Sequence, residues 1–210
     1  MSCPATEGEP DRVVVIVGTG TEVGKTWATC VMAAEARSRG RRVAARKPAQ
    51  SYKSGPTDAD LLAAATSEQA HEVCPAHRWY RTPMAPPMAA AVLGRPPFTL
   101  DQLVKELRWP AATELGFVET AGGVRSPLAE DGDSVDFAHR LQPTLTVLVA
   151  DAALGTINAT RLAMNVLASL DVVVLLNRYD ASDRLHRLNR QWLEDRDGLP
   201  VVVDPLAINL

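Results

Sequence analysis

The sequence predicts a single α/β domain built on a doubly wound, mostly parallel sheet with helices on both faces. Three observations predict it. A continuous apolar run, Val13–Val17, leads into the glycine-rich segment Gly18–Thr26 (GTGTEVGKT) and then into a helix-forming stretch closed by Gly40. Later apolar runs start at Gly116, Leu145, Val172 and Val201, about 27 to 29 residues apart, the interval that a strand, a helix and two loops require. All of these runs are continuous rather than alternating, which is the pattern of strands covered on both faces.

Taken in order, residues 1–12 are polar, with Glu7, Glu9 and Asp11 where a secretory signal would need an apolar centre, and read as a flexible N-terminal segment. Residues 13–210 read as the one domain. Its first strand is Val13–Val17, followed by a helix over Thr26–Arg39. A strand at Val43–Lys47 ends where Pro48 fixes the exit direction, and a helix follows at Asp58–Thr66. The stretch 75–110 holds seven of the fifteen prolines and reads as mainly loop, with one helix at Leu100–Leu107. Strands at Gly116–Glu119, Leu145–Ala150, Val172–Leu176 and Val201–Val203 complete the sheet, with helices at Thr156–Ala168 and Asp183–Glu194 between the last three.

Composition removes several functions. A net charge of −3 gives no basic footprint for nucleic acid, and no apolar stretch approaches the roughly 18 residues of a membrane-spanning helix. Cys3, Cys30 and Cys74 are odd in number and lie outside any CxxC spacing, which suits reduced, structural thiols in a cytoplasmic protein. The four histidines show no ligand spacing, and the four tryptophans are scattered without repeat.

The segment GTGTEVGKT carries the chemistry. A turn between a strand and a helix needs glycine where φ is positive or where backbone approaches an anion, and the helix start offers free amides to phosphate oxygens. Lys25 would reach the terminal phosphates and Thr26 would place its hydroxyl on Mg²⁺. The loop is a variant, since Thr19 stands where the common GxxxxGK pattern has its first glycine and Gly18 lies one residue earlier. The dinucleotide pattern GxGxxG is not kept.

In open sheets of this kind ligands sit beyond the carboxyl ends of the strands. Lys47 ends the second strand and Ser51 follows it, and a second lysine opposite Lys25 would neutralise a transferring phosphoryl group. Glu119 ends an apolar run before Thr120-Ala121-Gly122-Gly123 and is a candidate for Mg²⁺, with Asp151 as a rival. Asp58 and Asp60 each offer a further metal carboxylate or a helix cap.

GTGTEVGKT, RKPAQS, TDADLL, PMAPPMAA, FVETAGGVRSPL, LGTIN and LLNRYD occur in the order and at the spacings of the dethiobiotin synthetase family, which residues 13–180 resemble. Among nucleoside triphosphatases with a phosphate loop (the P-loop NTPase class), the longer loop is itself a feature of that family.

The resemblance implies a homodimeric ligase of biotin biosynthesis that uses ATP and Mg²⁺ to close a cyclic urea from 7,8-diaminopelargonate, a diamine, and CO₂. It implies that Lys25, Lys47 and Ser51 hold the carbamate and γ-phosphate, that Glu22 in the same loop helps to organise the site, and that Glu22, Val23 and Gly24 belong to the nucleotide-binding residues. Thr26, Asp58 and Glu119 would bind the metal, and Asn177 would read the base. Ser51, Thr120 and Gly122 would line the substrate site. Gly155, Thr156, Ile157 and Asn158 would hold the substrate carboxylate from the partner subunit.

Five positions depart from the family pattern. Thr120 replaces a glycine, Pro87 and Ala159 replace histidines, Arg178 replaces an aspartate, and Tyr52 follows the serine. Two other readings share part of the pattern: a related ATP-dependent carboxylating ligase acting on another amine, and a non-catalytic switch ATPase of the partitioning or septum-positioning kind. The signature lysine of the switch would fall at position 20, where Gly20 stands. A simple small-molecule kinase would not call for Lys47, Ser51 and the ETAGG segment together.

Overall fold

The computed structural model describes residues 8–210; Cys3 and residues 1–7 of the expected flexible segment lie outside it. Chain order begins with β1 (Arg12–Gly18), α1 (Lys25–Ser38), β2 (Val43–Arg46), β3 (Gln50–Ser51), α2 (Asp58–Thr66), α3 (Ala70–Val73) and β4 (Trp79–Tyr80). It continues with α4 (Pro86–Val92), α5 (Leu100–Glu106), β5 (Leu115–Glu119), β6 (Pro127–Ala129), β7 (Gly132–Asp133) and α6 (Ser134–Leu141). The last elements are β8 (Leu145–Asp151), α7 (Thr156–Leu167), β9 (Val172–Asn177), α8 (Arg184–Asp195) and β10 (Val201–Val202).

Six strands form one sheet in the order β10-β9-β8-β1-β5-β2, and every neighbouring pair is parallel. Each parallel connection must cross over the sheet, which is why strands alternate with helices. The chain moves outward from β1 to β2, returns to insert β5 between them, and then passes β1 to build β8, β9 and β10 on the other side. The carboxyl ends of β5 and β8 therefore flank that of β1 at the switch point where such sheets bind ligands.

Alternate residues of the continuous apolar runs feed two cores. Val14, Ile16, Phe117 and Val147 face one side and pack with Met32 and Ala33 of α1 and Leu62 of α2. Val15, Val17, Val118 and Leu148 face the other, against Leu103 of α5, Phe137 of α6, Leu167 of α7 and Leu193 of α8. Val14–Val17 are fully buried, and each such side chain contributes about 1.5–3 kcal/mol relative to exposure. That burial on both faces is what the unbroken hydrophobicity of β1 encodes.

Three parts of the structure differ from the sequence reading. Order begins before residue 13: Asp11 N donates to Thr113 O at 3.3 Å, Pro10 is buried, and Arg12 already belongs to β1. The proline-rich stretch contains α4, because Pro86 and Pro87 occupy its first positions, where the missing N–H costs no helical bond. A small antiparallel pair, β6 and β7, and the capped helix α6 fill the interval after β5, where no element was expected.

Candidate functional site

Residues 18–26 connect β1 to α1, and packing dictates their glycines unequally. Gly24 has φ +97°, and a Cβ there would lie 2.0 Å from Asn177 Nδ2. A Cβ on Gly18 would lie 2.9 Å from Val23 Cγ2, whereas one on Gly20 would meet nothing closer than 4.0 Å. Gly24 also starts α1 with no side-chain cap, and the first turn carries no acid. The helix start therefore presents its amides and the positive end of its dipole without a protein anion to satisfy them.

Lys25 folds back over the loop and donates to Gly20 O at 3.0 Å and to Gly122 O at 2.7 Å. Its ammonium is pulled down to about 8, first by burial and then by the nearby charge of Lys47, against the opposing pull of Glu119 and Asp58. A bound polyanion would restore the charge.

The second lysine sits in a network of acids. Lys47 Nζ lies 2.7 Å from Glu119 Oε1 and 2.7 Å from Asp58 Oδ2. Burial alone would lower its pKa, but the two carboxylates outweigh that and hold it above the ordinary lysine range. Lys47 in turn holds the Asp58 carboxyl below the usual carboxylate range. Thr26 Oγ1 lies 3.0 Å from Asp58 Oδ1 and 2.8 Å from Glu119 Oε1. Thr29, one turn further along α1, donates to Glu119 Oε2 at 3.2 Å.

The structure separates the two aspartates of α2. Asp60 accepts from Thr57 N at 2.8 Å while its own N–H donates to Thr57 Oγ1, a capping box that spends the carboxylate on the helix start. Asp58 faces Lys47 and Thr26 instead. Gln50, absent from the sequence reading, steadies this turn by accepting from Ala59 N at 3.0 Å and donating to Thr57 Oγ1 at 3.2 Å. Asp151, the rival to Glu119, is taken by Arg178 and by the amide of Ala153.

No group of three or more His, Cys, Asp or Glu side chains suited to a metal occurs among the described residues. Thr26, Asp58 and Glu119 nevertheless converge as hard oxygen donors. A Mg²⁺ ion that keeps most of its waters and takes its other ligands from phosphates needs no larger protein set.

These groups line a cleft of about 830 Å³ that also includes Ser51, Met84, Pro86, Gly122 and Arg178. Such a volume suits a ligand of nucleotide or drug size. Ser51 Oγ donates to Met84 O at 2.6 Å, tying β3 to the proline-rich wall. Gly122 has φ +70°, and a Cβ there would strike Ser126 Oγ at 2.5 Å.

Other candidates lie elsewhere. Thr120 is fully buried and its hydroxyl donates to Ile16 O at 3.2 Å, so this side chain adds no bulk to the cleft. Asn177 donates Nδ2 to Val23 O at 2.8 Å and is turned into the loop. Gly155, Thr156, Ile157 and Asn158 form the start of α7 beside the exposed Leu154, and none of them lines the cleft of their own chain. Pro87 is buried in α4, and Tyr52 packs edge-on against Trp79 at 6.3 Å between ring centres.

A doubly wound sheet, a glycine loop at its switch point, a lysine folded over that loop and a hydroxyl beside two carboxylates define a P-loop NTPase. Solved structures agree at the level of fold: the signal recognition particle receptor FtsY from Elizabethkingia anophelis in complex with GDP aligns with a TM-score of 0.54 at 16% identity, over 95% of this chain and 60% of that one. The chain thus spans about three fifths of that receptor.

A family model described as an AAA domain matches residues 12–203. The ATP-dependent dethiobiotin synthetase BioD of Anaeromyxobacter sp. (strain Fw109-5) is 38% identical over 180 residues, covering 82% of this chain and 79% of the relative. The enzyme of the same name from Haloferax mediterranei is 34% identical, covering 92% and 84%, and that from Aquifex aeolicus is 32% identical, covering 89% and 85%. The chain belongs to the ATP-dependent dethiobiotin synthetase family. Among the described residues, no helix is long and apolar enough to cross a membrane.

Proposed function

We propose that this protein is an ATP-dependent dethiobiotin synthetase that closes a cyclic urea from 7,8-diaminopelargonate and CO₂. The observation that carries the proposal is the pair of buried lysines, Lys25 from the loop and Lys47 from the end of β2, which line one cleft together with Asp58 and Glu119. In the reaction one amine of the diamine takes up CO₂ and releases a proton to give a carbamate. The carbamate oxygen attacks the γ-phosphorus, the bond to the β,γ-bridging oxygen breaks, and ADP leaves. The second amine then attacks the carbonyl carbon of the carbamic-phosphoric anhydride, phosphate departs, that nitrogen gives up a proton, and the ring closes.

Little covalent work falls to the protein, so its contribution is positioning and electrostatic stabilisation. The free amides at the start of α1 and the Lys25 ammonium bind the triphosphate. Lys47 and Ser51 hold the carbamate against the γ-phosphoryl group, in a site dry enough for each charge to act strongly. Thr26, Asp58 and Glu119 would hold Mg²⁺, which when bound neutralises negative charge on the phosphates. Met84 and Pro86 supply an apolar wall suited to the aliphatic chain of the diamine. The substrate carboxylate meets Gly155–Asn158 at the start of α7 in the partner subunit of a homodimer, where the helix dipole favours an anion.

The test is product analysis with 7,8-diaminopelargonate, labelled bicarbonate, Mg²⁺ and ATP. The proposal expects acid-stable label in a cyclic urea, formed with ADP and phosphate in equal amounts. A stable phosphorylated amine would indicate a kinase, and slow ATP hydrolysis without fixed label would indicate a switch; either outcome would overturn the proposal.

A further inference from the structure

Two consecutive side chains at the carboxyl end of β9 reach across to two consecutive carbonyls of the phosphate loop. Asn177 holds Val23 O, and Arg178 Nη2 donates to Glu22 O at 2.7 Å. A peptide unit is planar and trans, so the N–H of Val23 points opposite the Glu22 carbonyl and the N–H of Gly24 opposite the Val23 carbonyl. Both amides are thereby turned away from β9, and neither donates to a protein acceptor among the described residues.

The Arg178 side is built under strain and with an orienting partner. Arg178 has φ +58° and Glu22 has φ +57°, left-handed conformations that side-chain-bearing residues rarely adopt. The second nitrogen of the guanidinium, Nη1, donates to Asp151 Oδ2 at 2.5 Å, and the other oxygen of Asp151 accepts from Ala153 N at 2.9 Å. The carboxyl end of β8 thus aims the guanidinium at the loop. An aspartate at position 178 would have no donor to offer the Glu22 carbonyl.

We infer that Arg178 is a positioning residue for the triphosphate, acting through the Glu22 carbonyl to hold the loop amides in their anion-binding orientation, independently of the nucleotide base. The inference rests on the reading of the loop as the triphosphate site. It assigns a task to the arginine that stands where the family pattern has an acid.

The test compares binding of ATP and of inorganic tripolyphosphate to the full-length protein and its variants by calorimetry. Loss of a charge-assisted hydrogen bond that orders the loop should cost about tenfold in affinity. Arg178→Ala should therefore weaken ATP and tripolyphosphate by the same factor of about ten, and leave the preference among ATP, GTP and CTP unaltered. In turnover the loss should fall on KM for ATP more than on kcat. Arg178→Lys should recover part of the affinity, and Asp151→Asn should lose less than Arg178→Ala, with the double variant no weaker than Arg178→Ala alone. A loss confined to nucleotides, with tripolyphosphate unaffected, would place Arg178 on the base or ribose and overturn the inference. So would unchanged binding of both ligands. Failure of the wild-type protein to bind either ligand would instead remove the triphosphate site itself.

Discussion

Replacing Lys47 by methionine should damage stability and turnover through separable causes. The variant keeps the apolar stem, in a side chain one atom shorter than that of lysine, but removes the cation 2.7 Å from Glu119 Oε1. Glu119 is only 1% exposed, and its remaining side-chain partners are the hydroxyls of Thr26 and Thr29. Breaking a buried ion pair by removing one partner costs about 3–5 kcal/mol. The second pair adds little, because the Asp58 side chain is 41% exposed and water can take over its solvation.

Lys47 has its pKa raised, so its stabilisation is complete below the unfolded lysine value of about 10.5. It is lost only as pH climbs through the higher folded value, and the deficit of the variant should stay constant between about pH 6 and 9. Urea unfolding of wild type, Lys47→Met and Lys47→Met/Glu119→Gln at pH 7 measures it. The double variant should regain most of the lost stability while remaining inactive, because the unpaired carboxylate is gone but the cation is still missing. A single variant within about 1 kcal/mol of wild type, well below the range for a buried pair, would refute the reasoning.

Lys25 should show the opposite sign. Its folded pKa of about 8 lies below the unfolded value of 10.5, so the nucleotide-free protein should gain about 3 kcal/mol as pH rises from 8 to 10.5, and Lys25→Met should lack that slope in urea titrations. Gly24→Ala should abolish ATP binding and lower the melting temperature, because its Cβ would meet the Asn177 amide in a backbone conformation that only glycine adopts freely; calorimetry and thermal melts check both effects. Asp58→Asn should raise the Mg²⁺ concentration needed for half-maximal turnover. Asp60→Asn should leave that requirement alone and cost about 1 kcal/mol of stability through the weakened helix cap.

The sheet was legible because burial on both faces leaves unbroken apolar runs, and the loop was legible because glycines beside GKT have few other uses. Thr29 could also have been found, since it lies one turn after Lys25 and so shares its face of α1. Helix α4 was obscured by the proline content that marks 75–110 as loop, whereas the first helical turn accepts Pro86 and Pro87. Helix α6 could also have been found, since Asp133 at its N-cap and Asp136 in its first turn form a capping box.

Other features could not have been read from local sequence. Asp58 and Asp60 are two residues apart and point to nearly opposite sides of α2, and only the position of Lys47 decides which meets the site. Thr120, expected to line the substrate site, is instead drawn inward by the Ile16 carbonyl of β1. The grip of Asn177 and Arg178 on the loop joins residues more than 150 positions apart, which no spacing argument reaches.

Lys25 and Lys47 are proposed to converge on a single transferring phosphoryl group. The most direct measurement is a crystal structure with Mg²⁺, ADP, the diamine carbamate and a fluoride mimic of the γ-phosphoryl. Both ammonium groups should lie within about 3 Å of oxygen or fluorine positions on that one mimic. Lysines directed to separate groups, with Lys47 still held by Glu119 and Asp58 away from the mimic, would contradict that convergence.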